Sequence, residues 1–302
     1  MKRGLITWDK AEIPPSVFEE RVGRVRRVLA ERDLPALVVY SELWRSNQAR
    51  FFSNFMPYFN RAFLIIPLEL PPTLLCGLSP RVYGWIRSVT TIEDVRPAGN
   101  FAKPLFEIAA ERVWTRIGVL DLEQLPADLH QAIHGGTLTV ASVASRDVSA
   151  PAKDQTEIAL RRKAAAMVQQ VLDEEMPNGV GSMDHHFVGR LERRLRRAGA
   201  EDLIILLTNG KTVPAPPAGA ILEEDYSVSI ALEYRGHWVR FTRPQAPAAV
   251  VAECRKQLES KNGLTERLDG SYPYECGVGG IMANHIEYNH AGKRLFYGDT
   301  LL

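Results

Sequence analysis

Two stretches of this sequence gather the residue types that could do chemistry. Asp225–Arg243, DYSVSIALEYRGHWVRFTR, carries Glu233, Tyr234, His237, Trp238 and Arg240, and Gly277–His290, GVGGIMANHIEYNH, carries His285, Glu287 and His290. In an extended segment His285 and Glu287 lie on one face, so a His–Glu acid–base pair is geometrically available, beside the plainer reading of a loop histidine holding structural hydrogen bonds. Glu233 is a further titratable candidate. A guanidinium such as that of Arg240 suits bidentate binding of a carboxylate, with Tyr234, His237, Trp238 and His290 as candidate substrate contacts around it. The competing reading pairs Arg240 with Glu233 on a facing strand, which would make it a structural ion pair.

The element that must position these groups is a hairpin. Val228, Ile230 and Leu232 alternate with Ser227, Ser229, Ala231 and Glu233, the period of a half-buried strand. Arg235-Gly236 supplies the turn, and Trp238, Arg240 and Thr242 share one face of the return strand.

The pattern D-x-x-x-x-x-A-x-E-Y-x-G-x-x-x-x-x-T-R in this hairpin resembles that of the creatinase / aminopeptidase P / prolidase family, the pita-bread metallopeptidases and their relatives. The resemblance implies two hairpin aspartates that bind a pair of divalent metals; position by position they fall on Ser229 and Arg240, so both ligands are missing. The family's H-G-I-G-L histidine falls on Gly279, its later His-Glu pair on Ile286-Glu287, and its upstream substrate-binding histidine within Asn209–Pro217, which has none. No metal and no other cofactor is expected. The sequence reaches Gly298-Asp-Thr-Leu-Leu302 where relatives continue into strands bearing two metal-binding glutamates, so further strands of the family's sheet are expected beyond Leu302. Creatinase shows that such a fold can hydrolyse a C–N bond without metal, though the histidine it uses has no counterpart at the matching position.

The rest of the chain agrees with a two-domain arrangement. Its 302 residues, 45% hydrophobic and 24% charged, suit two ordinary soluble domains. Lysines and arginines number 37 against 36 acids, so no global field recruits nucleic acid or membrane. Cys76, Cys254 and Cys276 lack metal-type spacing and suggest reduced thiols; with no leader-like start and no run of about 18 apolar residues, a cytoplasmic location is expected. The motifs G-x-x-x-x-G-K-[ST], G-x-G-x-x-G, G-x-S-x-G and H-E-x-x-H are absent.

Phe18, Val22, Val25 and Leu29 mark a helix over 18–33, and Pro35–Tyr40 reads as a buried strand. Further strands are expected at Ala62–Pro67, Thr73–Cys76, Arg116–Leu120 and Thr137–Val143, and helices at Pro80–Ser88, Pro104–Thr115 and Ala127–Ile133. Residues 18–67 also resemble the family's N-terminal domain, with Asn47–Phe55 matching N-x-R-Y-L-T-G-F. There Arg50 or Arg61 would read a substrate carboxylate at a dimer boundary, or simply pack within its own domain. A loop at Val148–Lys153 separates the domains. Beyond it a helix runs to Glu175, stopped by Pro177-Asn-Gly179; a second runs from Asp184 to Ala198, capped by Gly199, with an arginine-rich outer face read as solvated; a third is expected over Pro244–Glu259.

The fold expected is therefore an α/β N-terminal domain over 1–150, creatinase N-domain-like, and an α+β pita-bread domain over 151–302. Three functions stand side by side: a metal-independent enzyme acting on a carboxylate-bearing, nitrogen-containing small molecule by C–N hydrolysis or related acid–base chemistry; a non-catalytic homologue used for ligand binding or dimer assembly; and an Xaa-Pro-type metallopeptidase whose ligands lie elsewhere. A homodimer is implied by the resemblance alone.

Overall fold

The computed structural model describes residues 6–43, 45–148, 154–210, 212–260, 264–267 and 282–301. The expected linker residues 149–153, Cys276 and Gly279 lie outside them. The described residues form two compact units, one up to Thr156 and one from Glu157 onward.

The first unit runs α1 (Pro15–Glu31), β1 (Ala36–Glu42), α2 (Asn47–Ser53), β2 (Arg61–Pro67), β3 (Thr73–Cys76), α3 (Tyr83–Val89), β4 (Asp94–Pro97), α4 (Ala102–Glu111), β5 (Arg116–Leu120), α5 (Ala127–His134), β6 (Thr139–Val143) and α6 (Ser145–Val148). Its strands form one mixed sheet in the order β4-β3-β2-β1-β5-β6. The central strand β1 is apolar without alternation because both of its faces are covered. Leu37 and Val39 join the α1 stripe of Val22, Val25 and Leu29, while Val38 and Tyr40 join Leu105 and Ile108 of α4.

The second unit opens with α7 (Gln155–Glu175) and α8 (Asp184–Ala198), the latter closed by Gly199 at φ 109°, a left-handed cap that glycine adopts without strain. There follow β7 (Asp202–Asn209), β8 (Tyr226–Tyr234), β9 (His237–Gln245), α9 (Ala248–Glu259), β10 (Leu264–Arg267), β11 (Met282–His290) and β12 (Lys293–Leu301), paired in the order β10-β11-β12-β9-β8-β7. The β8–β9 turn places Arg235 at φ 50° and Gly236 at φ 82°, a two-residue turn whose twist matches the strands it joins. The helix expected from Pro244 begins only at Ala248, because β9 continues through Gln245. Pro244 sits inside that strand opposite Ser227.

One face of this sheet belongs to the helices. Tyr226, Val228, Ile230 and Leu232 are buried on it. Tyr226 donates its hydroxyl to Met176 O at 2.5 Å and meets Phe187 of α8 edge to face. On the same face Arg243 bonds Gln169 of α7 at 2.9 Å and Asp299 at 2.5 Å, and Val250, Cys254 and Leu258 of α9 pack on Ile286, Leu295 and Tyr297. The arginine-rich side of α8 is answered by α7: Arg190 and Arg194 bond Glu175 at 3.0 and 2.6 Å, and Arg194 also meets Glu174. Burial alone would raise the Glu175 carboxyl, but these two guanidinium bonds hold it below the usual carboxylate range.

Candidate functional site

Directly opposed residues of an antiparallel sheet project to the same side, so the register shows which side chains can meet on the face turned away from the helices. One row crosses β7, β8, β9, β12 and β11 as Leu206, Ser229, Thr242, Gly298 and His285. The next row runs Ile204, Ala231, Arg240, Thr300 and Ala283; its Arg240–Thr300 step is marked by Arg240 N donating to Thr300 Oγ1 at 2.6 Å and Thr300 Oγ1 donating to Arg240 O at 2.8 Å.

The centre of this face is a small polar cluster. Ser229 Oγ accepts from Arg240 Nε at 3.1 Å and from Thr242 Oγ1 at 3.0 Å. Ser229, Thr242 and Thr300 are each about 5% exposed or less, and Arg240 is half-buried. Gly298 makes room beside them: a Cβ there would lie 2.9 Å from His285 Cβ and 3.0 Å from Asn284 O, so His285 can sit this close to the Thr242 row only because residue 298 has no side chain.

Towards the turn the face becomes acidic. Glu233, fully buried, stands opposite Trp238 on β9 and opposite Asp202 on β7. Trp238 is 1% exposed, and its indole Nε1 is buried with no hydrogen-bond partner. Its carbonyl accepts from Arg161 Nη1 at 2.9 Å, whose guanidinium is bonded to Glu157 at 2.7 Å.

Of the residues expected at the site, Glu233, Trp238, Arg240, His285 and Glu287 share this face. Tyr234, His237 and His290 do not; strand alternation turns them to the helix side, where Lys163 of α7 lies 5.0 Å from the Tyr234 ring, and this corrects their expected place beside Arg240. Glu287 is held in a two-point bond by Arg294, at 2.5 and 2.8 Å, and that bond keeps its carboxyl below the ordinary range. Glu233 and His285 are separated by three strand spacings and four residues along the chain, roughly 19 Å between Cα atoms at about 4.8 Å per strand and 3.3 Å per residue. They cannot act as a direct proton-transfer pair.

The polar row Ser229–Thr242 with Gly298 carries no sequence signal of a site; small and hydroxyl residues at these positions are ordinary in any strand, and only the register brings them together. In the first unit Arg61 pairs with Asp128 at 2.6 Å, and Arg50 lies in α2 with 3% exposure.

The donor set does not fit a divalent metal pair. Such sites need several carboxylate, imidazole or thiolate ligands, whereas the two hairpin positions concerned carry a neutral hydroxyl and a cation. A guanidinium there would repel a dication directly. Among the described residues no group of three or more His, Cys, Asp or Glu could hold a metal ion.

No family model matches this chain, and no curated protein matches it. Solved structures do. The chain is similar to the prolidase of Pyrococcus horikoshii OT3 (TM-score 0.71, 13% identity, covering 94% of this chain and 95% of that one). It is similar to an Xaa-Pro dipeptidase from Bacillus anthracis (TM-score 0.71, 14% identity, 94% of each chain). It also resembles the X-Pro aminopeptidase of Thermotoga maritima MSB8 (TM-score 0.71, 15% identity, 92% of this chain and 93% of that one). An α/β unit with one mixed sheet, followed by an antiparallel sheet packed on one side by helices, is thus the pita-bread fold of the prolidases and X-Pro aminopeptidases.

Proposed function

We propose that this chain binds a small carboxylate-bearing, nitrogen-containing molecule on the polar face of its second sheet without metal, and acts on it by C–N hydrolysis or related acid–base chemistry. The observation that carries the reading is Arg240, set where the resemblance puts a metal-binding aspartate and bonded to Ser229 Oγ. A half-buried guanidinium among hydroxyls is a receptor for a carboxylate.

His285 is the acid–base group this reading assigns. Its Cα lies two strands and two residues from Arg240, roughly 12 Å, a span that a small ligand and two side chains can bridge. A second reading, binding without turnover, is favoured by one observation: Glu287, the expected partner of His285, is engaged by Arg294.

Elemental analysis, with titration by a panel of amino, N-acyl and guanidino acids in chelator, tests the reading. No stoichiometric zinc, manganese, iron or cobalt and undiminished binding in chelator are expected; a stoichiometric metal, or binding abolished by the chelator, would overturn it. Ammonia, urea or amine release from a bound member of the panel separates enzyme from binder. The homodimer is carried by analogy with the fold's enzymes alone, and light scattering at micromolar concentration tests it; the cytoplasmic location rests on the cysteine pattern and the start of the sequence. No helix among the described residues is long and apolar enough to cross a membrane.

A further inference from the structure

The first unit holds a cavity of about 640 Å³ at the end of α3, lined among others by Trp8, Lys10, Glu19, Arg87, Ile92 and Glu93. Small-molecule sites run from about 300 to 1,000 Å³. Two of its lining side chains, Trp8 and Thr90, are held in place by hydrogen bonds. Trp8 Nε1 donates to Ile13 O at 2.8 Å and its ring meets Phe18 edge to face, and Thr90 Oγ1 donates to Ser53 O at 2.7 Å. Ile92 is 3% exposed and forms part of the core.

Four charged side chains, Lys10, Glu19, Arg87 and Glu93, line this cavity. Lys10, Arg87, Glu19 and Glu93 make no ion pair among the described residues; the Lys10 ammonium stands 4.9 Å over the Trp8 ring. Two cations and two acids thus face one space without neutralising one another. A simple anion entering it meets repulsion from Glu19 and Glu93, and a simple cation meets it from Lys10 and Arg87. A molecule bearing both charges meets attraction at both ends.

We infer that this cavity binds a zwitterionic amino acid or short peptide. Its carboxylate meets Lys10 and Arg87, its ammonium meets Glu19 and Glu93, and its side chain lies against the indole of Trp8. The site is separate from the Arg240 face and does not depend on the function proposed for it.

Calorimetric titration of the full chain with glycyl-L-leucine, its N-acetyl form and its C-terminal amide tests this. The zwitterion should bind, each blocked form about tenfold more weakly, a difference of about 1.4 kcal/mol. Arg87→Ala and Glu93→Gln, both at exposed positions, should each weaken the zwitterion by a similar factor while the melting temperature stays unchanged. Arg240→Ala separates the two sites, since binding in this cavity should survive it. The inference is overturned by no binding up to ~10 mM, by equal binding of the blocked forms, by indifference to Arg87→Ala and Glu93→Gln, or by loss in Arg240→Ala alone.

Discussion

The two faces of the second sheet use arginine in opposite ways. Arg243, on the helix side, is bonded by Gln169, Asp299 and the Gly298 carbonyl and lies 4.5 Å from the Tyr297 ring. Every one of these partners ties strand to helix or strand to strand. Arg240, three residues earlier and on the other face, has Ser229 Oγ and the backbone-directed Thr300 as neighbours. Strand alternation thus separates a cation tied to the helices from one set among the hydroxyls of the opposite face.

The largest effect expected from breaking this comparison is at Arg161, whose pair with Glu157 is almost fully enclosed, at 3% and 2% side-chain exposure. Arg161→Ala should cost about 3–5 kcal/mol in denaturant unfolding, since it strips a buried carboxylate of a guanidinium; a loss under about 1 kcal/mol would show that α7 does not brace the hairpin through this pair. Next comes Gly179→Ala. The added methyl would run into the Tyr226 hydroxyl and lie 3.2 Å from Phe187, and the overpacking should cost about 1–3 kcal/mol, read as a lowered melting temperature.

The smallest effect concerns Asp184, at the start of α8. It accepts from the backbone N–H groups of His185, Ala218, Gly219 and Ala220 at 2.6, 2.8, 3.0 and 3.2 Å. Burial pushes its carboxyl up, but the four donors outweigh burial and hold it below its ordinary value of 3.8. The folded-state value being depressed, the stability it contributes is present above pH 3.8 and lost as the pH falls through the lower folded value. Asp184→Asn should cost about 1 kcal/mol near neutrality and flatten that acid limb; an unchanged limb would assign the acid sensitivity to other carboxylates.

Much of this architecture is legible in the sequence, for reasons that differ by element. The β8–β9 hairpin can be read because period-two alternation and a two-residue Arg-Gly turn are local signals, and the α1 stripe because Phe18, Val22, Val25 and Leu29 recur at helical spacing. β7 escapes such reading: Leu203–Leu207 is an apolar run without alternation. Pro244 suggests a helix start because proline fits the first turn of a helix, yet it lies within a central strand. The pairing of β12 with β9 joins residues some fifty positions apart, and no local pattern encodes it. For the same reason the Ser229–Thr242–Gly298–His285 row cannot be assembled from sequence, although strand phase places Arg240 on its face.

The central claim is that Arg240 anchors a ligand carboxylate rather than supporting the fold. Glu233, buried on the same face of the neighbouring strand, is the group that could make it a structural pair. The most direct measurement is a paired titration and thermal melt of the wild type, Arg240→Ala and the double variant with Glu233→Gln. The account predicts that Arg240→Ala keeps its melting temperature within about 2 °C, the shift expected from roughly half a kcal/mol, while affinity for the best-bound carboxylate falls by about 2–5 kcal/mol. A drop of many degrees in the free protein, restored by Glu233→Gln with carboxylate binding unaffected throughout, would contradict it.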